Sequence, residues 1–193
     1  MLDGDLDGHR DIIITNGHVD RTFATGAPDL MPPMYYRNLG DGRFATIPGD
    51  SLGEYFQHEY LGRSVVILDW NRDGREDFCV SHLDAPAALL TNQAPDSGHH
   101  VVVKLRGVTS NRDAVGTFVT VAAGEASWTR QLIAGHGYLA SNHHQLIFGV
   151  GSAEKIDRLT IRWPSGLRED FVDLPVDTEW VFVEGSGDAV RLR

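Results

Sequence analysis

Asp3-Gly4-Asp5-Leu6-Asp7-Gly8-His9-Arg10-Asp11 and Asp69-Trp70-Asn71-Arg72-Asp73-Gly74-Arg75-Glu76-Asp77 are two copies of one nine-residue acidic pattern, and each runs straight into an apolar stretch. Oxygen-bearing side chains recur at positions 1, 3, 5 and 9. They converge on one hard cation only if the chain wraps tightly, and Gly8 and Gly74 at position 6 supply the backbone freedom for that wrap. The backbone carbonyl at position 7, from His9 and Arg75, would complete each set. The spacing therefore predicts two Ca2+ loops, one from Asp3, Asp5, Asp7, His9 and Asp11, the other from Asp69, Asn71, Asp73, Arg75 and Asp77.

An EF-hand opens in the same way, but it needs a bidentate Glu at position 12 and a helix on either side. Position 12 is Ile14 in the first copy and Val80 in the second. The runs Ile12-Ile13-Ile14-Thr15 and Phe78-Cys79-Val80-Ser81 are rich in β-branched and apolar residues and suit a buried strand. Loop-into-strand is the expected arrangement. A solvated Asp/Gly turn is the alternative for one copy alone; the recurrence of the same ligand spacing weighs against it for both.

The chain has 193 residues, 41% of them hydrophobic, enough for one large domain or two small ones with a buried core. Its formal net charge of −10 and lack of a basic run argue against a nucleic-acid partner, because phosphate-backbone binders concentrate Lys and Arg on one face. Part of that acidity belongs to the loops, and two divalent ions would bring the formal charge from −10 to −6. The single cysteine, Cys79, allows no intrachain disulfide and no Cys-based zinc site. No segment has the length and apolarity of a membrane span, and none resembles an export leader. Because Met1 lies so close to the first loop ligand, the sequence is expected to be cut from a longer protein.

The two loops begin 66 residues apart, in the range of propeller blades. Gly62–Leu68 is an apolar strand feeding the second loop. Tyr36-Arg37-Asn38-Leu39-Gly40-Asp41-Gly42-Arg43-Phe44 reads as strand, Gly-rich turn and strand, and Leu89-Leu90-Thr91-Asn92-Gln93 begins a similar segment. Residues 17–34 are expected to form an irregular excursion. Apolar periodicity stops at Gln93–Gly98, the expected linker. Beyond it lie seven short strand candidates, 100–106, 117–123, 127–134, 145–150, 158–163, 170–174 and 179–184. Several alternate, as in Val119, Val121 and Ala123 against Thr120 and Ala122. This regime suggests an antiparallel β-sandwich or small barrel over residues 98–185, with 186–193 as a tail. The expected fold is all-β, with partial β-propeller blades in 1–95 followed by that second β domain.

The acidic loops running into apolar strands, with Asn38-Leu39-Gly40-Asp41-Gly42-Arg43-Phe44 between them, resemble FG-GAP or VCBS-type repeats of integrin-like β-propellers. The second half resembles the ASPIC/UnbV domain that follows such repeats. That likeness rests on Ser110-Asn111-Arg112-Asp113-Ala114-Val115-Gly116, Gly135-His136-Gly137-Tyr138-Leu139, Phe148-Gly149-Val150-Gly151 and Arg162-Trp163-Pro164-Ser165-Gly166. The resemblance implies a calcium-loaded propeller carrying a β-rich domain, in proteins that are extracellular, periplasmic or on the cell surface, with no established enzymatic activity. It also implies the remaining blades of a parent chain as partners, since a propeller closes only with about four blades or more. An isolated blade would leave strand edges open. His143 and His144 depart from the family's pattern.

No catalytic residue is expected, because no nucleophile elbow, phosphate loop or dinucleotide fingerprint is present. The adjacent pairs His99-His100 and His143-His144 would point to opposite faces of a strand and not share one ion. His18, just after the first strand, is the histidine best placed to approach the first ion. Trp163 and Trp180 are candidate glycan-stacking residues, against a simpler role at a strand end and turn. The function expected is a non-enzymatic, calcium-binding interaction or adhesion module whose ligand is an unknown protein or glycan. The alternative is a calcium-stiffened scaffold of a larger enzyme, or a carbohydrate-binding domain.

Overall fold

A computed structural model describes residues 1–18, 28–95 and 97–192. Each acidic loop delivers the chain into a strand, as the apolar runs require. The first leads into β1 (Ile12–Ile14), which pairs antiparallel with β2 (Met34–Asn38), which in turn pairs with β3 (Phe44–Ile47). The Asn38–Phe44 Gly-rich segment is the turn between β2 and β3. Part of the expected excursion, residues 19–27, lies outside the described residues. Two 3-10 turns at Gly49–Ser51 and Glu54–Gln57 lead into β4 (Gly62–Leu68). The second loop then connects β4 to β5 (Asp77–His82), with Leu68 opposite Asp77, and β5 pairs with β6 (Ala88–Leu90). Leu2, Phe56, Ile67, Phe78 and Val80 form a shared core between the two three-stranded sheets.

The second half contains β7 (His99–Arg106), β8 (Phe118–Ala123), β9 (Ala126–Gln131), β10 (Leu146–Gly151), β11 (Lys155–Arg162), β12 (Arg168–Pro175), β13 (Thr178–Val183) and β14 (Ala189–Arg191). They form two four-stranded sheets, ordered β10-β7-β13-β14 and β12-β11-β8-β9. Alternation decides the inner faces. Val119, Val121 and Ala123 of β8 and Leu159 and Ile161 of β11 meet Val101, Val103, Phe148 and Phe182 of the other sheet in one apolar core, so the sheets pack as a sandwich. Among the described residues no sheet closes into a barrel. Three expectations are corrected. β7 and β13 run parallel, which is possible because 71 residues separate their ends and the chain crosses to the other sheet between them. Residues 189–191 of the expected tail form a strand on β13, through Trp180 opposite Arg191 and Phe182 opposite Ala189. Residues 132–134 do not continue β9, since the Leu132 N–H turns to the Thr117 carbonyl at 2.9 Å.

The two halves interlock. Leu6, from the first acidic loop, is buried with Val102 and Ile147 on the outer side of the sandwich. Beside it, the Gly98 N–H donates to the Asp5 carbonyl and the Gly151 N–H to the Leu6 carbonyl, both at 2.9 Å. The open edge of β4 is covered by the chain after Gly137-Tyr138-Leu139. The Ile67 N–H donates to Asn142 Oδ1 at 2.9 Å, the His143 N–H to the Ile67 carbonyl at 3.0 Å, and Ser64 Oγ to the Tyr138 carbonyl at 2.7 Å. Here His143 serves through its backbone, as an edge cover.

Candidate metal centre

The two loops share one backbone wrap. Position 4 has positive φ in both, at Leu6 (58°) and Arg72 (60°), and so does position 6, at Gly8 (92°) and Gly74 (83°). The position-1 carboxylate accepts the N–H of position 6: Gly8 to Asp3 Oδ2 at 3.1 Å and Gly74 to Asp69 Oδ2 at 3.0 Å. The position-9 carboxylate accepts the N–H of position 2, Gly4 to Asp11 and Trp70 to Asp77. Its other oxygen takes an N–H from the next strand or its end, Asn38 to Asp11 at 2.8 Å and Asn92 to Asp77 at 2.7 Å. Asp11 and Asp77 thus tie each loop to the strand that follows, and Tyr35 Oη also donates to Asp11.

Position 6 must be glycine for a second reason. A Cβ at Gly8 would lie 2.1 Å from Trp128 Nε1, and one at Gly74 would lie 1.8 Å from His100 Nε2. An aromatic ring from the sandwich therefore rests on each loop.

In the first loop, carboxylate oxygens of Asp3, Asp5 and Asp7 lie within 4.8 Å of one another. Asp3 is fully buried, and both Asp3 Oδ1 and Asp5 Oδ1 are buried with no hydrogen-bond partner. Such oxygens are costly unless a cation meets them. Burial pushes the Asp3 carboxyl up to about 7, against the pull of Arg130, and raises Asp5, with Asp7 adding to that rise. Two arginines border the group. Arg37 of β2 reaches Asp5 from the surface, and Arg130 of β9 reaches Asp3 Oδ2 from inside at 3.2 Å. The donor set is hard oxygen on a tight loop, the type that suits Ca2+.

The second loop is drawn differently. Asp69 accepts the N–H groups of Asp73 and Gly74, each at 3.0 Å, and Asn71 Nδ2 donates to Asp73 Oδ2 at 2.9 Å. With Asn71 at position 3, it brings no three acidic groups as close as those of the first loop. Asp11 and Asp77 stand apart from the Asp3–Asp5–Asp7 group, since their oxygens serve the strands. The His9 ring lies against Gly40, and Arg75 Nη1 donates to the Ala94 carbonyl at 2.9 Å.

Several sequence candidates sit elsewhere. His18 is fixed through its backbone, to the Asp29 carbonyl and by Arg63 Nη2, and is not in the acidic group. His99 and His100 share a carboxylate partner. Asp177 sits at the end of their strand with positive φ, its carboxylate 2.7 Å from His99 Nδ1 and 3.3 Å from His100 Nδ1. Trp163 and Trp180 are 2% and 7% exposed, within the core, and offer no stacking platform. The sequence reading missed Arg130, Glu76 and Asn92. Arg130 was detectable as a charged residue alternating with Trp128 and Leu132, at an inward-facing position. Glu76, beside a loop ligand, carries no such signal.

Comparison with protein families gives two matches in the chain's own order. Residues 3–80, with both acidic loops, match the FG-GAP-like repeat, and residues 107–189, from the turn after β7 into β14, match ASPIC and UnbV. No curated protein matches the chain.

Proposed function

Because the chain carries an FG-GAP-like repeat region followed by an ASPIC and UnbV domain, we propose that it is a non-catalytic interaction module whose blades are fixed by calcium at the two acidic loops. The observation that carries this reading is the pair of buried, unpartnered oxygens on Asp3 and Asp5, converging with Asp7. A divalent ion there satisfies those oxygens and relieves the repulsion among three adjacent carboxylates. The identical wrap of the second loop supports a second, separate site from Asp69, Asn71 and Asp73. The ions' role is structural, since the first loop feeds β1 and the second joins β4 to β5. A dissociation constant of about 0.1 mM, within the range of extracellular modules, would give roughly 1.8 kcal/mol of stabilisation per site at about 2 mM calcium.

Millimolar calcium belongs outside the cytoplasm, so the place of action is the cell exterior or periplasm, and the partner is a protein or glycan. The remaining blades of a parent protein are the nearest partners. In their support, β5 is flanked by β4 and β6, whereas β1, its counterpart after the first loop, pairs only with β2 among the described residues. The test is calorimetric titration of the chelator-stripped chain with calcium, with magnesium as control, alongside thermal unfolding. Two calcium-selective sites are expected, with a matching rise in melting temperature. Asp5→Ala removes one site and Asp73→Ala the other; equal melting shifts in wild type and both variants would defeat the assignment.

A further inference from the structure

Asp3 and Glu76 are buried acids from different loops, joined through the Asp3 N–H, which donates to Glu76 Oε2 at 2.6 Å. Between them lies Arg130. Its Nη2 is 3.2 Å from Asp3 Oδ2 and its Nη1 is 3.9 Å from Glu76 Oε1. The guanidinium is itself fixed, because Nη1 donates to the Ile147 carbonyl and the group lies 5.0 Å over the Phe148 ring. Its side chain is 8% exposed. A charge so enclosed interacts strongly with its neighbours, whereas Arg37, half exposed beside Asp5, is screened by water.

Among the described residues the second loop has no such buried cation. Arg72 turns away to Glu179 at 2.9 Å, and among the described residues Asp69 is met by backbone N–H groups. The asymmetry is matched on the other side of the Asp3 carboxylate. Oδ2 is taken by Arg130 and Gly8, while Oδ1 is buried without a hydrogen-bond partner, on a carboxylate grouped with those of Asp5 and Asp7.

We propose that Arg130, a residue of the C-terminal domain, is the resident counter-cation of the first acidic loop, holding the two domains together without metal and weakening that loop's hold on calcium. The inference rests on the calcium reading of the loop. Without Arg130 the buried Asp3 and Glu76 would lose the one cation in contact with both, leaving Arg10, which acts on them at longer range, and a calcium ion at Asp3 would have one less positive charge to compete with. Arg130 is a positioning residue, acting on the ion through Asp3.

The test uses the full chain in the Asp73→Ala background, so that titration reports the first loop. Arg130→Met keeps the length of the side chain and removes its charge. In chelator its melting temperature should fall, and adding Asp3→Asn with Glu76→Gln should restore part of the loss. In calcium its dissociation constant should tighten about tenfold, from removal of a buried like charge. Arg130→Lys keeps the charge and should stay within about twofold of the parent, which also covers the case in which Arg130→Met does not fold. An unchanged or weaker affinity in Arg130→Met, or a Lys variant that tightens as much as Met, would overturn the proposal. If the parent takes up no calcium while the chelator results stand, the metal reading fails, and the proposed competition fails with it.

Discussion

Gly42 and Gly74 share a φ of 83° in very different surroundings. Nothing lies within 4 Å of a Cβ at Gly42, whereas at Gly74 the His100 ring occupies that space. Gly42→Ala should therefore cost only the left-handed strain, about 1 kcal/mol. Gly74→Ala should cost that and the displacement of His100, roughly 2–4 kcal/mol in all. Denaturant unfolding of both variants checks this, and equal losses would show that the ring moves aside freely. The same reasoning separates the roles of the loop aspartates. Asp3 and Asp5 keep buried oxygens unsatisfied, while Asp11 and Asp77 spend theirs on backbone N–H groups, so one residue type in one motif performs two tasks.

Among elements, the turns of the sandwich are tied by Glu184 at the end of β13. Its Oε2 accepts the N–H groups of Val108, Thr109 and Ser110 at 2.7–2.8 Å, and Oε1 accepts the hydroxyls of Ser110 and Ser165. Burial opposes ionisation, but these donors win and hold the carboxyl down at about 2, against an ordinary 4.5. A depressed value means stability present above the unfolded pKa and lost as pH falls from about 4.5 towards 2. Glu184→Gln should therefore lose about 1–3 kcal/mol at pH 7, with a smaller gap from wild type at about pH 3. Urea unfolding at both pH values decides it; a constant gap would count against this role. On the edge of β4, Asn142→Ala should cost about 1 kcal/mol. Its signature is faster hydrogen exchange at the Ile67 amide, and unchanged exchange there would mean the edge is covered without Asn142.

At the scale of the whole molecule, Leu6 joins what the sequence separates. A loop residue from the repeat region lies in an apolar cluster with Val102 and Ile147, flanked by the Arg130 network. Leu6→Ala should remove about 2–4 kcal/mol through the cavity it leaves. Wild type is expected to unfold in one transition, because the halves share buried contacts. Leu6→Ala should split it into two in calorimetry, and two transitions already in wild type would show that the halves fold apart. The FG-GAP-like and ASPIC and UnbV regions are thus packed as one body, with Trp128 and His100 each resting on an acidic loop.

Local chemistry was enough to read much of this from the sequence. The Asp and Gly spacing fixed two equivalent wraps, β-branched runs such as Ile12–Ile14 fixed the strands after them, and alternation as in Val119, Val121 and Ala123 fixed the sandwich faces. These depend on neighbours a few residues apart, where period and turn chemistry act directly. The tertiary structure alone decided the parallel β7–β13 pair, the strand at 189–191, the burial of Trp163 and Trp180, the β4 edge cover and the meeting of Asp3, Glu76 and Arg130. Each of these joins segments distant in sequence, and which partner a strand edge or a buried charge finds is settled by the packing of the whole chain, for which no local pattern stands in.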